Sequence, residues 1–97
     1  MYDLEYMKSQ RRIIRTDLKR YLITFRDDIV ADFNIELPTK EEIKLMSKTE
    51  FAEWTLNNYS KFAMKEEIDL ELIELLESFM CLENNIENLE SLKNNLL

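Results

Sequence analysis

The sequence predicts an all-α protein, a helical bundle built on a long antiparallel pair of N- and C-terminal helices, with an excursion of two short helices packed at one end. Three observations predict it. Glycine is absent, proline occurs once at Pro38, and Leu, Glu, Lys, Ile and Asn dominate the composition, which favours helices over tight turns and strands. Apolar residues recur in steps of three and four at both ends of the chain, and such a seam must be covered by another helix. The charges flanking the two seams are opposite in sign.

The first helix is expected over residues 3–34. Leu4, Met7, Ile14, Leu18, Tyr21 and Phe25 hold the rhythm, with Arg11 filling one seam position; Ile29 and Phe33 then shift the stripe around the helix. Asn34 to Pro38 ends it, because the residue before a proline is pushed out of the helical region and proline cannot extend a helix from within. Thr39, with Glu42 three residues on, forms a capping box for a second helix over 40–46. Ser47 and Glu50 repeat that arrangement, with Met46 and Phe51 at the staple positions, and start a third helix over 48–62. Phe51, Trp54, Tyr59 and Phe62 give this helix an aromatic side, expected as core.

The last helix is expected over 66–96, after a bend near 60–65; nothing between 59 and 67 forces a stop, so one continuous helix from 48 to 97 is the alternative. Its seam runs Ile68, Leu72, Leu75, Phe79, Leu82, Ile86, Leu89 and Leu96, broken only by Lys93. An antiparallel match of the two seams pairs Leu4 with Leu96, Ile14 with Ile86, Leu18 with Leu82, Tyr21 with Phe79, and Phe25 with Leu75. The same register sets Lys8 opposite Glu90 and Arg15 opposite Glu83, with Arg12, Lys19 and Glu87 on the same edge. Opposite charges at these positions favour the orientation, although each exposed pair contributes only ~0.2–1 kcal/mol. Ile73, Leu76 and Met80 widen the stripe on the first half of the last helix, which is where the third helix is expected to dock, with Leu22, Ile29 and Phe33 closing that core.

Ninety-seven residues suit one domain with one modest core. Without glycine, phosphate-cradling loops are hard to build, which argues against P-loop and Rossmann chemistry. Histidine is absent and Cys81 is the single cysteine, so neither a His-based general base nor a Cys/His zinc site is expected, and the chain reads as non-enzymatic, without cofactor or metal. One cysteine gives no internal disulfide, no apolar run approaches the ~20 residues of a membrane span, and the first residues lack a signal-peptide pattern. A cytoplasmic protein with no membrane partner is the expectation.

The net charge of −7 is unevenly placed: residues 1–26 carry seven basic and three acidic side chains, residues 27–97 six and seventeen. The basic series Lys8, Arg12, Arg15, Lys19 and Arg26 has the spacing of a phosphate-contacting helix face. The competing reading, favoured by a pI near 4.6, pairs it with the acidic edge of the last helix. The acidic cluster Glu66, Glu67, Asp69, Glu71, Glu74 and Glu77 could imitate a nucleic-acid backbone, but a solvated helix face at the N-terminal end of a macrodipole is the simpler account. Tyr2, Tyr6, Ile13 and Leu92 are left over outside the seams and are expected to form a partner or self-association surface. The functional expectation is therefore a small acidic interaction protein that regulates or inhibits a larger one, of the sort phages and plasmids encode against host machinery; the Asn, Lys and Ile abundance fits an AT-rich coding source. The alternatives are a nucleic-acid-binding accessory protein using the basic first helix, and a self-assembling or immunity-type helical module such as a homodimer.

Overall fold

The computed structural model describes residues 3–63 and 70–95, apart from the side chains of residues 33, 63 and 93–95. Four helices follow one another: α1 (Leu4–Phe33), α2 (Lys40–Leu45), α3 (Lys48–Ala63) and α4 (Leu70–Asn95). The described residues contain no strand. The long helix α1 packs against α4, α2 lies on α1, and α3 lies on α4. The molecule measures 49 × 28 × 19 Å, its long axis matching the ~45 Å that thirty helical residues span.

Each helix end has a local cause. Asp3 caps α1 by accepting a hydrogen bond from the Glu5 amide at 3.2 Å. At the other end Asn34 takes the left-handed conformation, φ 51° and ψ 48°, a backbone state that asparagine tolerates better than other non-glycine residues. The helix thus ends at Phe33, five residues before Pro38, and Asn34 supplies the stop for which the proline was the expected cause. Thr39 and Glu42 form the reciprocal capping box of α2, with bonds of 3.1 and 3.3 Å. Ser47 and Glu50 do the same for α3, at 3.1 and 3.4 Å. Helix α3 stays helical to Ala63, and the rest of the expected bend, the expected start of the last helix and Ile68 lie outside the described residues.

Arg26 holds the connection after α1 in place. Its Nε donates to the Pro38 carbonyl at 2.7 Å and its guanidinium to that of Leu37 at 3.0 Å. From there α2 descends along α1, and the Met46 carbonyl at its foot accepts from Lys19 Nζ at 2.7 Å. The corner at Ser47 reverses the chain, and α3 climbs back toward Phe62. The core forms between these elements: Leu18, Leu22 and Ile29 from α1, Leu37, Ile43 from α2, Phe51 and Phe62 from α3, and Leu72, Leu76 and Phe79 from α4. The Phe51 and Phe79 rings meet at 5.5 Å, in the tilted geometry aromatic pairs favour. Trp54 is half-buried beside them, 6.2 Å from Phe51 and 6.3 Å from Phe62. Buried Thr55 is satisfied by donating to the Phe51 carbonyl at 2.9 Å.

Within this architecture the seam is rolled relative to the heptad expectation. On α4 the buried residues are Leu72, Leu76, Phe79 and Ile86, whereas Leu75, Leu82 and Leu89 are only half-buried. On α1 Leu18, Leu22 and Ile29 are buried, Tyr21 is half-buried, and Phe25 is 41% exposed. Both long helices turn the same edge inward, toward α2 and α3. The reason is competition between neighbours: α4 serves two helices at once, and the stripe settles between them rather than facing α1 alone.

Candidate functional site

The α1–α4 pair has two sides of different chemistry. One carries α2 and α3, and next to them the basic residues of α1. The other is not covered by any described helix. On that open side Tyr21, Phe25, Thr24 and Asp17 of α1 face Leu75 and Glu71 of α4 across a groove of about 280 Å³. The Tyr21 and Phe25 rings lie 4.7 Å apart along its wall. Phe25 and Leu75, expected as a closed layer, therefore line an open cleft.

Tyr6 and Ile13 share a helical face with Asp17 and Thr24, since steps of seven, eleven and eighteen residues return to nearly one direction on a helix. They are 55% and 49% exposed. Leu92, 58% exposed, belongs to the same end of the molecule, because its neighbour Glu90 is paired with Lys8. Three of the four residues expected at the interaction surface are thus exposed toward one end of the pair; Tyr2 lies outside the described residues.

The basic series is divided among separate tasks. Lys8 Nζ pairs with Glu90 Oε1 at 3.1 Å, in the expected register. Glu83, expected opposite Arg15, is instead taken by Arg11 from one turn nearer the N-terminus, at 3.4 Å. Lys19 donates to the Met46 carbonyl and sits 5.3 Å above the Phe51 ring, so its cation supports the α2–α3 corner. Burial, and then the charge of Arg15, lowers its pKa from the usual lysine value. Arg26 is engaged with backbone carbonyls and with Asp27 at 3.0 Å. Arg12 is exposed. Arg15 is only 7% exposed, and burial followed by the charge of Arg11 lowers its pKa, with Glu83 opposing and Arg12 reinforcing the shift. Of the series expected as the alternative phosphate-contacting face, Lys19 and Arg26 thus donate to carbonyls within the molecule.

Of the acidic cluster, Glu71, Glu74 and Glu77 are exposed, while Glu66, Glu67 and Asp69 lie outside the described residues. Glu77 accepts a hydrogen bond from the Tyr59 hydroxyl at 2.8 Å, which raises the phenol's pKa, and Glu71 borders the open groove. Cys81 is an exposed free thiol, and among the described residues no group of three or more His, Cys, Asp or Glu side chains could hold a metal ion. No described helix is long and apolar enough to cross a membrane.

Two residues outside the expected sites gain importance from the fold. Arg11 leaves the seam to hold Glu83, and Lys48, at the start of α3, arrives beside Arg12 and Arg15. The Ser47 capping box signals where α3 begins, but only the descent of α2 along α1 shows where that start is placed. The chain matches no family model, no curated protein and no solved structure.

Proposed function

We propose that this is a non-enzymatic interaction protein that binds a larger protein through the open side of its α1–α4 pair and so regulates or inhibits it. The observation that supports the reading is the row of apolar side chains on that side. Tyr6 and Ile13 are about half exposed, Phe25 nearly so, and Leu92 stands at the same end. Apolar and aromatic residues grouped on one surface and rimmed by charges such as Asp17, Arg20 and Glu71 have the composition of a protein interface. Aromatic anchors of this kind carry much of the binding energy where they are buried by a partner. A phage or plasmid source, with host machinery as the target, remains part of the same proposal and rests on composition.

Binding of nucleic acid by α1 has less support, because Lys19 and Arg26 donate to internal carbonyls and Lys8 and Arg11 are paired with glutamates. The test is affinity capture with the intact chain, combined with sedimentation velocity over a wide concentration range. Recovery of one protein in stoichiometric amount, with the free chain monomeric, supports the proposal. A chain that only associates with itself replaces it with the assembly reading, and capture of nothing by a monomer contradicts it.

A further inference from the structure

On the side opposite the apolar row, the start of α3 meets α1 along an open groove of about 290 Å³ lined by Glu5, Lys8, Ser9, Arg11, Arg12, Arg15 and Lys48. Five cations face one carboxylate there. Two of the five are neutralised, Lys8 by Glu90 and Arg11 by Glu83. Arg12 and Lys48 are exposed and form no ion pair among the described residues.

Arg15 is the unusual member. It is more than nine-tenths buried, and its Nε is fully covered without a hydrogen-bond partner, as is the Nε of Arg11. A covered guanidinium nitrogen without an acceptor forfeits its hydration uncompensated, and the group cannot escape that cost by losing its proton at ordinary pH. Its nearest opposite charge, Glu83, is already bonded to Arg11. Burial and the like charges of Arg11 and Arg12 both weigh against the cation, and the charge of Glu83, shared with Arg11, offsets them only in part. The first residue of α3, Lys48, adds a further cation together with the partial positive charge of a helix N-terminus.

The geometry points to this groove as a binding site for a phosphate dianion, free or as a monoester, held by Arg15 from its floor and by Arg12 and Lys48 from the rim. A guanidinium fork matches the oxygens of a tetrahedral oxyanion. A doubly charged anion suits three unpaired cations better than a monovalent carboxylate would. The site is independent of the apolar side: it uses different residues, and its failure leaves the interface proposal standing.

The probes are inorganic phosphate and glycerol 3-phosphate, titrated into the full chain at constant ionic strength with chloride as the control. The readout is the Arg15 Nε–H resonance together with the melting temperature. The expected result is a saturable, phosphate-specific shift of that resonance and a rise in melting temperature. Affinity should fall at least tenfold in the Arg12→Gln/Lys48→Gln double variant, whose exposed positions leave folding intact. In Arg15→Met the melting temperature should no longer respond to phosphate. Equal affinity for the two probes assigns recognition to the phosphate alone, and tighter binding of the monoester assigns part of it to the organic body. Absence of a saturable shift, or an equal response to chloride, overturns the proposal. So does salt-sensitive retention of duplex DNA with both small probes silent, which would make the groove part of a polyanion surface.

Discussion

Lys8 of α1 and Glu90 of α4 lie 3.1 Å apart although eighty-odd residues separate them in sequence, and this contact sets the two longest helices antiparallel. Both side chains are more than a third exposed, at 37% and 47%, so the pair specifies orientation more than it stabilises. Lys8→Glu is expected to cost less than about 1 kcal/mol, and the exchange Lys8→Glu with Glu90→Lys to recover most of it. A double-mutant cycle in urea checks this, and a coupling energy of zero would remove the pair from the account.

The roll of the seam makes a sharper contrast. Leu76 is fully buried and Leu75 only half so. Leu76→Ala should therefore cost about 2–5 kcal/mol, as core deletions do, and Leu75→Ala distinctly less. Phe79→Ala, which removes the ring packed on Phe51, should cost about 3–5 kcal/mol, against a much smaller loss for Phe25→Ala. Equal losses within each pair of variants would restore the unrolled heptad seam.

The roll also shows what could be read in the residues and what could not. Local chemistry was legible: the Thr39–Glu42 and Ser47–Glu50 boxes depend on side chains three residues apart, and both form as expected. The antiparallel pairing was legible because seam and charge pattern agree on it, as Lys8 and Glu90 show. The end of α1 at Asn34 was legible but its cause was not, since Pro38 is the louder signal and Asn34 acts through a backbone state that sequence does not display. Which leucines face inward was not legible, because heptad counting assumes one neighbour whereas α4 has two. The exposure of Tyr6, Ile13 and Leu92 followed from their leaving the seam. The groove around Arg15 did not, since Lys48 reaches it only through the path of α2, and the exchange of Arg15 for Arg11 at Glu83 depends on that same crowding.

Arg26 is expected to act as a structural clamp. Removing its donors in Arg26→Met leaves the carbonyls of Leu37 and Pro38 without their charged partner, at a cost of about 1–3 kcal/mol. In a chain of this size that lowers the melting temperature by roughly 4–8 °C per kcal/mol. An unchanged melting temperature would mean that the connection to α2 is held by Leu37 and Ile43 alone.

Tyr59 supplies a pH dependence of definite sign. Its hydrogen bond to Glu77 raises the folded-state pKa above the unfolded value near 10. The neutral phenol is the form the fold favours, so its contribution is complete below the unfolded pKa and is lost as pH rises through the folded one. Above pH ~10 the wild type should therefore lose melting temperature faster than Tyr59→Phe. Lys19, whose pKa moves the other way, is common to both proteins and cancels in the difference. Parallel curves would show that the bond to Glu77 does not persist in solution.

The central claim is that the open side of the α1–α4 pair is a protein interface. Its most direct test is affinity capture with the wild type and with Ile13→Glu/Leu92→Glu, two exposed substitutions that first need to be shown to leave the melting temperature unchanged. The account predicts one stoichiometric partner retained by the wild type and lost from the double variant. A partner retained equally by both would contradict it.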